Sequence, residues 1–189
     1  MKNILMIVGS LRKQSFNRQL AQKIEIILGD RANVTYLEYG DLPYMNQDIE
    51  FPAPEGVARV RATVQNSDGI WICTPEYNHN IPGGLKNLLD WLSRPLEENN
   101  WKLGSAVKGK HVTISGVAGK SAAAYVRKSL KGLLEMMSMN VVGGEGTGVS
   151  FDANAFQTGV LSIPASAQTA LEEQAEQFLS ALFQNRSGG

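Results

Sequence analysis

One cysteine in 189 residues leaves no internal disulfide, and with it no small stapled scaffold of the secreted kind. Histidine is almost as scarce, at two residues, His79 and His111. No CxxC, HExxH or iron–sulfur ligand run occurs, so no metal centre is expected. Neither sign of charge prevails, because 18 basic and 18 acidic residues cancel. That balance argues against a nucleic-acid partner held by phosphate charge and against a polybasic membrane-surface protein. No run reaches the roughly 18 apolar residues of a membrane span. The opening MKNILMIVGSLRK passes straight from a short apolar stretch into charge. It lacks the long core and cleavage site of a signal peptide, so a cytoplasmic location is expected. Repeats, linkers and low-complexity blocks are missing as well.

What is present is an ordinary globular composition, 43% hydrophobic and 19% charged. A chain of this length forms one domain by default. We expect it over 1–185, with 186–189 as a flexible tail. Asn3–Val8 (NILMIV) is a bounded apolar run, the pattern of a strand buried on both faces. Further strands are expected at Asn33–Tyr39, Gly69–Thr74, His111–Ser115 and, shorter, from Asn140 to Val142. Helical spacing of apolar residues recurs over 16–28, 55–66, 82–95, 121–139 and 167–185. The stretch 143–164 is glycine-rich and reads as irregular.

Five strands alternate with five helices. That order implies an α/β three-layer sandwich, a parallel sheet with helices on both faces. Five strands suit the flavodoxin-like order 2-1-3-4-5 better than a six-stranded Rossmann sheet. In such sheets ligands bind outside the carboxyl ends of the strands where the order reverses, here between the first and third strands. The loops after strands one, three and four are therefore the candidates.

The first of them, Gly9 to Asn17 (GSLRKQSFN), collects hydroxyls, an amide, a guanidinium and the N–H groups of a helix start. A helix N-terminus attracts anions, and arginine clamps phosphate with two parallel hydrogen bonds. Neither GxGxxG nor GxxxxGK[ST] is present, so a single phosphate fits better than a pyrophosphate or nucleoside triphosphate. The plain alternative is a polar loop with Ser15 as helix cap. The second loop, Thr74 to Gly84 (TPEYNHNIPGG), offers Tyr77 as a flat face and Asn78 as an amide between two stiffening prolines. Its glycines allow close backbone approach to a planar ring.

GSLRKQSFN, followed later by TPEYNHNIPGGLKNLLDWLSRP, resembles the NAD(P)H-dependent FMN reductase family, which includes chromate, quinone and azo reductases. The resemblance runs over essentially the whole chain. It implies non-covalently bound FMN as cofactor, NADPH or NADH as electron donor, a small-molecule acceptor, and a homodimer or homotetramer. By position it assigns Ser10, Arg12, Ser15, Phe16 and Asn17 to the FMN phosphate. Pro75, Glu76, Tyr77 and Asn78 would flank the ribityl chain and the flavin ring. Ser115, Gly116 and Gly119 match the third flavin loop. Residues 95–109, longer than the family's usual connection, would shape the substrate mouth or a subunit contact.

On that reading the flavin carries the redox step and the protein supplies position and electrostatics. Donor and acceptor would use the same face in turn, a ping-pong scheme. No side chain is assigned as a catalytic acid or base. Cys73 lies inside a buried strand and reads as a small hydrophobe. The methionines at 136, 137 and 139 read as packing, as does Trp91. An electron carrier of the flavodoxin type, without its own NAD(P)H activity, is the alternative. Carriers are usually acidic, whereas this chain is neutral. A dehydrogenase with Glu38 on a ribose is a weaker one, since the glycine fingerprint is missing.

Overall fold

The computed structural model describes residues 1–184; the tail expected at 186–189 lies outside the described residues. Six strands form the sheet: β1 (Lys2–Val8), β2 (Ala32–Tyr36), β3 (Gly69–Thr74), β4 (His111–Ala118), β5 (Asn140–Val141) and β6 (Thr147–Ser150). Helices α1 (Phe16–Leu28), α2 (Glu55–Gln65), α3 (Gly83–Ser93), α4 (Ala124–Met136), α5 (Ala153–Thr158) and α6 (Ala165–Gln184) connect and cover them. Strand order is β2-β1-β3-β4-β5, all parallel, with β6 also pairing to β4. This is the expected 2-1-3-4-5 order with one strand added. None of the helices described is long and apolar enough to cross a membrane.

The sheet is apolar on both faces because both are covered. On one face Ile70, Ile72, Val112 and Ile114 pack with Val60, Leu88, Leu92, Leu130 and Leu134 from α2, α3 and α4. On the other, Ile4, Met6, Trp71 and Cys73 pack with Leu20, Ile24, Leu171 and Phe178 from α1 and α6. Alternation along β3 sends Trp71 and Cys73 to one core and Ile70 and Ile72 to the other. Burying each large side chain contributes about 1.5–3 kcal/mol.

Most boundaries shift by one to three residues, and three of the differences have a clear local reason. β2 stops at Tyr36 rather than Tyr39. The chain leaves the sheet edge there, and Tyr39 turns inward to donate its hydroxyl to the Val8 carbonyl at 2.7 Å. β4 continues to Ala118 rather than stopping at Ser115. β6, from the stretch expected to be irregular, runs alongside Ser115–Ala118 and extends it. α4 begins at Ala124, after Ala122 and Ala123 in left-handed conformation (φ 47° and 60°). Apolar spacing alone carried the expected helix back to Ser121.

β6 sits close because glycine permits it. Gly146 has φ +65°, and a Cβ there would stand 1.8 Å from the Ile114 carbonyl oxygen. A Cβ on Gly148 would stand 2.1 Å from the Ala122 oxygen. These two positions hold β6 against β4 and the segment before α4.

Candidate functional site

The carboxyl ends of β1, β3 and β4 open into a cleft of about 290 Å3. One wall is the loop after β1, with Ser10, Arg12 and Ser15. A second is the loop after β3, with Pro75, Glu76 and Tyr77. The third is the end of β4, Val117 to Gly119, joined by Phe151 and Phe156. The two motif loops therefore meet where the strand order reverses.

The first wall presents donors. Ser15 caps α1, its Oγ accepting from the Asn17 N–H at 3.2 Å; its own hydrogen remains to donate. Phe16 begins the helix, so its N–H has no intrahelical acceptor. The Arg12 guanidinium donates to the Gln14 carbonyl and lies 5.3 Å from the Phe16 ring centroid. Ser10 Oγ accepts from the Arg12 N–H at 3.4 Å. Hydroxyls, N–H groups and a cation thus face one end of the cleft, the donor set an anion needs.

Asn17 lies at this end and also bridges two elements. Its side chain is buried, donating Nδ2–H to the Val117 carbonyl at 3.1 Å and accepting the Val117 N–H at 2.8 Å. β3 ends at Thr74, paired with Gly116, and the next residue is proline. On the β3 side the Val117 peptide groups would have no strand partner, and the Asn17 amide takes that place. Asn17, which the resemblance sets on the phosphate, lines the cleft, and its amide also clamps α1 to β4.

The second wall is pinned to α4. Glu76 Oε1 accepts from the Ser121 hydroxyl at 2.6 Å, and Oε2 accepts from the Val126 N–H at 3.1 Å. α4 starts from Ala123, which has no side chain to cap it, so Glu76 caps that helix from across the fold. Tyr77 and Asn80 exchange backbone hydrogen bonds of 3.1 and 3.0 Å around Asn78 and His79. Both turn residues have positive φ, 52° and 58°, the geometry of a type I′ turn. Asn78 suits that conformation and is exposed rather than lining the cleft. His79 stacks on Tyr125 at 4.2 Å between ring centroids. Glu76→Ala is expected to cost about 0.5–2 kcal/mol, the range for a lost helix cap, while Glu76→Gln, which keeps an acceptor, costs less. Urea unfolding of the two variants checks this.

The third wall holds the residues that sequence reasoning missed. Val117 and Ala118 line the cleft with Gly119. Ser115 and Gly116 do not. Ser115 Oγ points into the α6 side, accepting from Trp71 Nε1 at 3.0 Å and donating to Gln174 Oε1 at 3.2 Å. Gly116 is packed closely, its missing Cβ position 2.7 Å from both the Thr74 oxygen and the Ala123 Cβ. Phe151 and Phe156 join Phe16 in an aromatic group, with centroids 4.7 to 6.0 Å apart. Their signal was present, since the two phenylalanines interrupt a small-residue stretch, but that stretch read as irregular.

The remaining groups are structural. Cys73 is fully buried, and burial pushes its thiol well above the ordinary range; such a thiol is no nucleophile. Trp91 is buried and donates to the Pro43 carbonyl at 2.8 Å. Met137 and Met139 lie in the core, while Met136 is exposed. The 95–109 connection is closed by a Pro95–Ser105 bridge and does not line the cleft. Among the described residues no cluster of side chains could hold a metal ion.

A donor-rich end, a stiff peptide loop and an aromatic third wall occupy the reversal point of a parallel sheet. The sequence pattern described as NADPH-dependent FMN reductase matches residues 2–153. The chain belongs to that family. The FMN reductase relationship extends to named relatives. A 2-hydroxy-1,4-benzoquinone reductase of a Burkholderia species is 36% identical over 141 residues, covering 72% of this chain and 74% of that relative. A quinone reductase of Pseudomonas putida is 38% identical over 129 residues, covering 68% and 69%. Among solved structures, FerB of Paracoccus denitrificans, a flavoenzyme NAD(P)H:(acceptor) oxidoreductase, superposes with a TM-score of 0.83. The match has 28% identity and covers 97% of this chain and 98% of that one. The fold of this FMN reductase family member is flavodoxin-like.

Proposed function

We propose that this protein is an NAD(P)H-dependent, FMN-containing oxidoreductase whose acceptor is a quinone or a similar small electrophile. The observation that carries the reading is the division of the cleft. One end gathers the donors of the first loop and the start of α1. The other is flat and largely apolar, between Pro75–Tyr77 and Val117–Gly119. A ligand with a monophosphate at one end and a planar ring at the other satisfies both. FMN has that form, and the residues present fit it.

Ser10, Arg12, Ser15 and the Phe16 N–H would hold the phosphate. Pro75, Glu76 and Tyr77 would bound the ribityl chain and ring on one side, with Gly119 on the other. When bound there, FMN supplies the redox chemistry, taking hydride from a reduced nicotinamide and passing two electrons to the acceptor. The protein's part is placement. Glu76 fixes the second loop on α4, and Asn17 fixes the end of β4 on α1. Backbone N–H groups of these two walls would face the electron-rich edge of the ring as fixed donors. No side chain in the cleft is assigned a proton-transfer role.

The quinone acceptor is supported by the names of the relatives above. A homodimer or homotetramer is the assembly that the family resemblance implies, and light scattering on a sizing column measures it. A cytoplasmic location agrees with a reduced nicotinamide as donor.

The deciding experiment is an anaerobic absorbance titration of FMN-loaded protein. Addition of NADPH or NADH is expected to bleach the oxidised flavin band within seconds to minutes, and a benzoquinone to restore it. A band that persists with FMN bound would instead identify an electron carrier.

A further inference from the structure

Thr74 is the last residue of β3 and is fully buried. Its hydroxyl donates to the Pro75 carbonyl at 2.9 Å. The Pro75–Glu76 peptide is trans, so its N–H lies opposite its C=O in one plane. The Glu76 N–H therefore turns away from Thr74, and it has no hydrogen-bond partner among the described residues. The next peptide is fixed as well, because the Tyr77 N–H donates to the Asn80 carbonyl at 3.1 Å. Proline has no N–H to offer. Across Pro75–Tyr77, the stretch that lines the cleft, the Glu76 N–H is thus the free backbone donor.

This peptide resists being turned over. The turn would break the Thr74 hydrogen bond and rotate φ of Glu76 out of the negative region in which it lies, a change that a residue with a Cβ opposes. The Glu76 carboxylate, tied to Ser121 and Val126, opposes it further. Such a lock has an effect where the partner atom changes from hydrogen-bond acceptor to donor during the reaction. On a flavin ring that atom is N5, which holds a lone pair when oxidised and a hydrogen once hydride has arrived. We propose that Thr74 is a positioning residue, its hydroxyl locking the Pro75–Glu76 peptide so that the Glu76 N–H meets N5 of bound FMN. The proposal rests on the FMN oxidoreductase reading above, and it adds a side chain that sets how the flavin takes up electrons.

The consequence follows from the polarity of the bond. A fixed N–H suits N5 of the oxidised ring and opposes the N5–H of either reduced form, so it favours the oxidised ring. Two singly reduced, N5-protonated rings carry two opposed N–H pairs. One oxidised and one doubly reduced ring carry one opposed pair and one hydrogen bond. The lock therefore disfavours the singly reduced ring and keeps electrons in pairs. A loop free to turn its carbonyl inward would do the reverse.

Two comparisons test this. In the first, the unmodified protein is titrated with FMN and with 5-deaza-FMN, in which carbon replaces N5. FMN is expected to bind about three- to tenfold more tightly, the worth of one neutral hydrogen bond. Equal affinities would overturn the proposal, and this comparison needs no variant to fold. In the second, Thr74→Val replaces the hydroxyl by a methyl group of similar size. Its FMN-loaded form is expected to shift toward the reduced ring by about three- to tenfold, a rise in midpoint potential of about 15–30 mV for a two-electron couple. The long-wavelength band of the singly reduced flavin should also appear during its dithionite titration. Thr74→Ser keeps the hydroxyl and should match the unmodified protein in both readouts. A merely structural Thr74 would lower the urea midpoint of Thr74→Val and leave its potential unmoved, which would overturn the proposal. So would a fall in potential, since that sign belongs to a donor on N1 and O2, where negative charge gathers on reduction. A serine variant that behaves like valine would overturn it too. An unmodified protein that binds no FMN would remove the oxidoreductase reading itself. Normal FMN binding without a preference over 5-deaza-FMN would remove only the role of Thr74.

Discussion

Replacing Asn17 by leucine is expected to destabilise the protein by about 2–6 kcal/mol and to weaken FMN binding as well. Leucine is close to asparagine in size, so the change removes hydrogen bonding more than volume. Two buried peptide groups of Val117 would then lose their partners. Each unsatisfied buried group costs about 1–3 kcal/mol. Neither group can turn to β3, which has ended at Thr74. Asn17→Asp separates the two bonds. The carboxylate still accepts the Val117 N–H but has no hydrogen for the carbonyl, and it is buried beside that oxygen. Its expected cost at neutral pH is at least that of leucine, and it should shrink in acid as the carboxylate takes a proton. Urea unfolding gives both numbers, and an unchanged slope with a lower midpoint is the mark of lost stability. A midpoint unchanged in Asn17→Leu would mean that the amide contributes nothing to holding β4 on α1.

The same residue illustrates what the sequence does and does not reveal. Buried strands such as GIWICT are legible because they are apolar throughout, and that happens only when both faces are covered. Strand order followed from the alternation of elements. The site was legible at the level of loops, since function in this architecture gathers at one end of the sheet. Individual roles were less so. Ser10, Ser15 and Asn17 are all small polar residues near a helix start. Only the positions of Thr74 and Val117, both distant in sequence, make Asn17 a clamp as well as a residue of the cleft. Ser115 was read as the strand's last residue and the start of the third loop because the end of β4 could not be placed without β6. That strand is four residues long and contains a glycine, too short and irregular for a period-two signal. Phe151 and Phe156 were lost with it.

Arginine 12 is the position where chemistry at the site can be weighed most directly. Removing its guanidinium in Arg12→Ala is expected to weaken FMN binding by about 1.5–3 kcal/mol, or about 10- to 150-fold, the range for hydrogen bonds to a charged group. The side chain already rests on the Gln14 carbonyl and over the Phe16 ring. Little of its freedom is left to lose on binding, so most of the bond strength should appear as affinity. Arg12→Lys keeps the charge but offers a point where the phosphate meets a fork, and it should fall between the two. Fluorescence quenching of FMN on titration with apoprotein reads all three affinities. The FMN-dependent rise in melting temperature should shrink in the same order, because stabilisation follows the logarithm of ligand concentration over dissociation constant. Loss of stability without FMN would point to a structural role. The exposure of Arg12 argues against that, so the ligand-free melting temperature is expected to stay near that of the unmodified protein. An affinity unchanged in Arg12→Ala would move the phosphate away from Arg12 and leave Ser10, Ser15 and the α1 N–H groups to hold it.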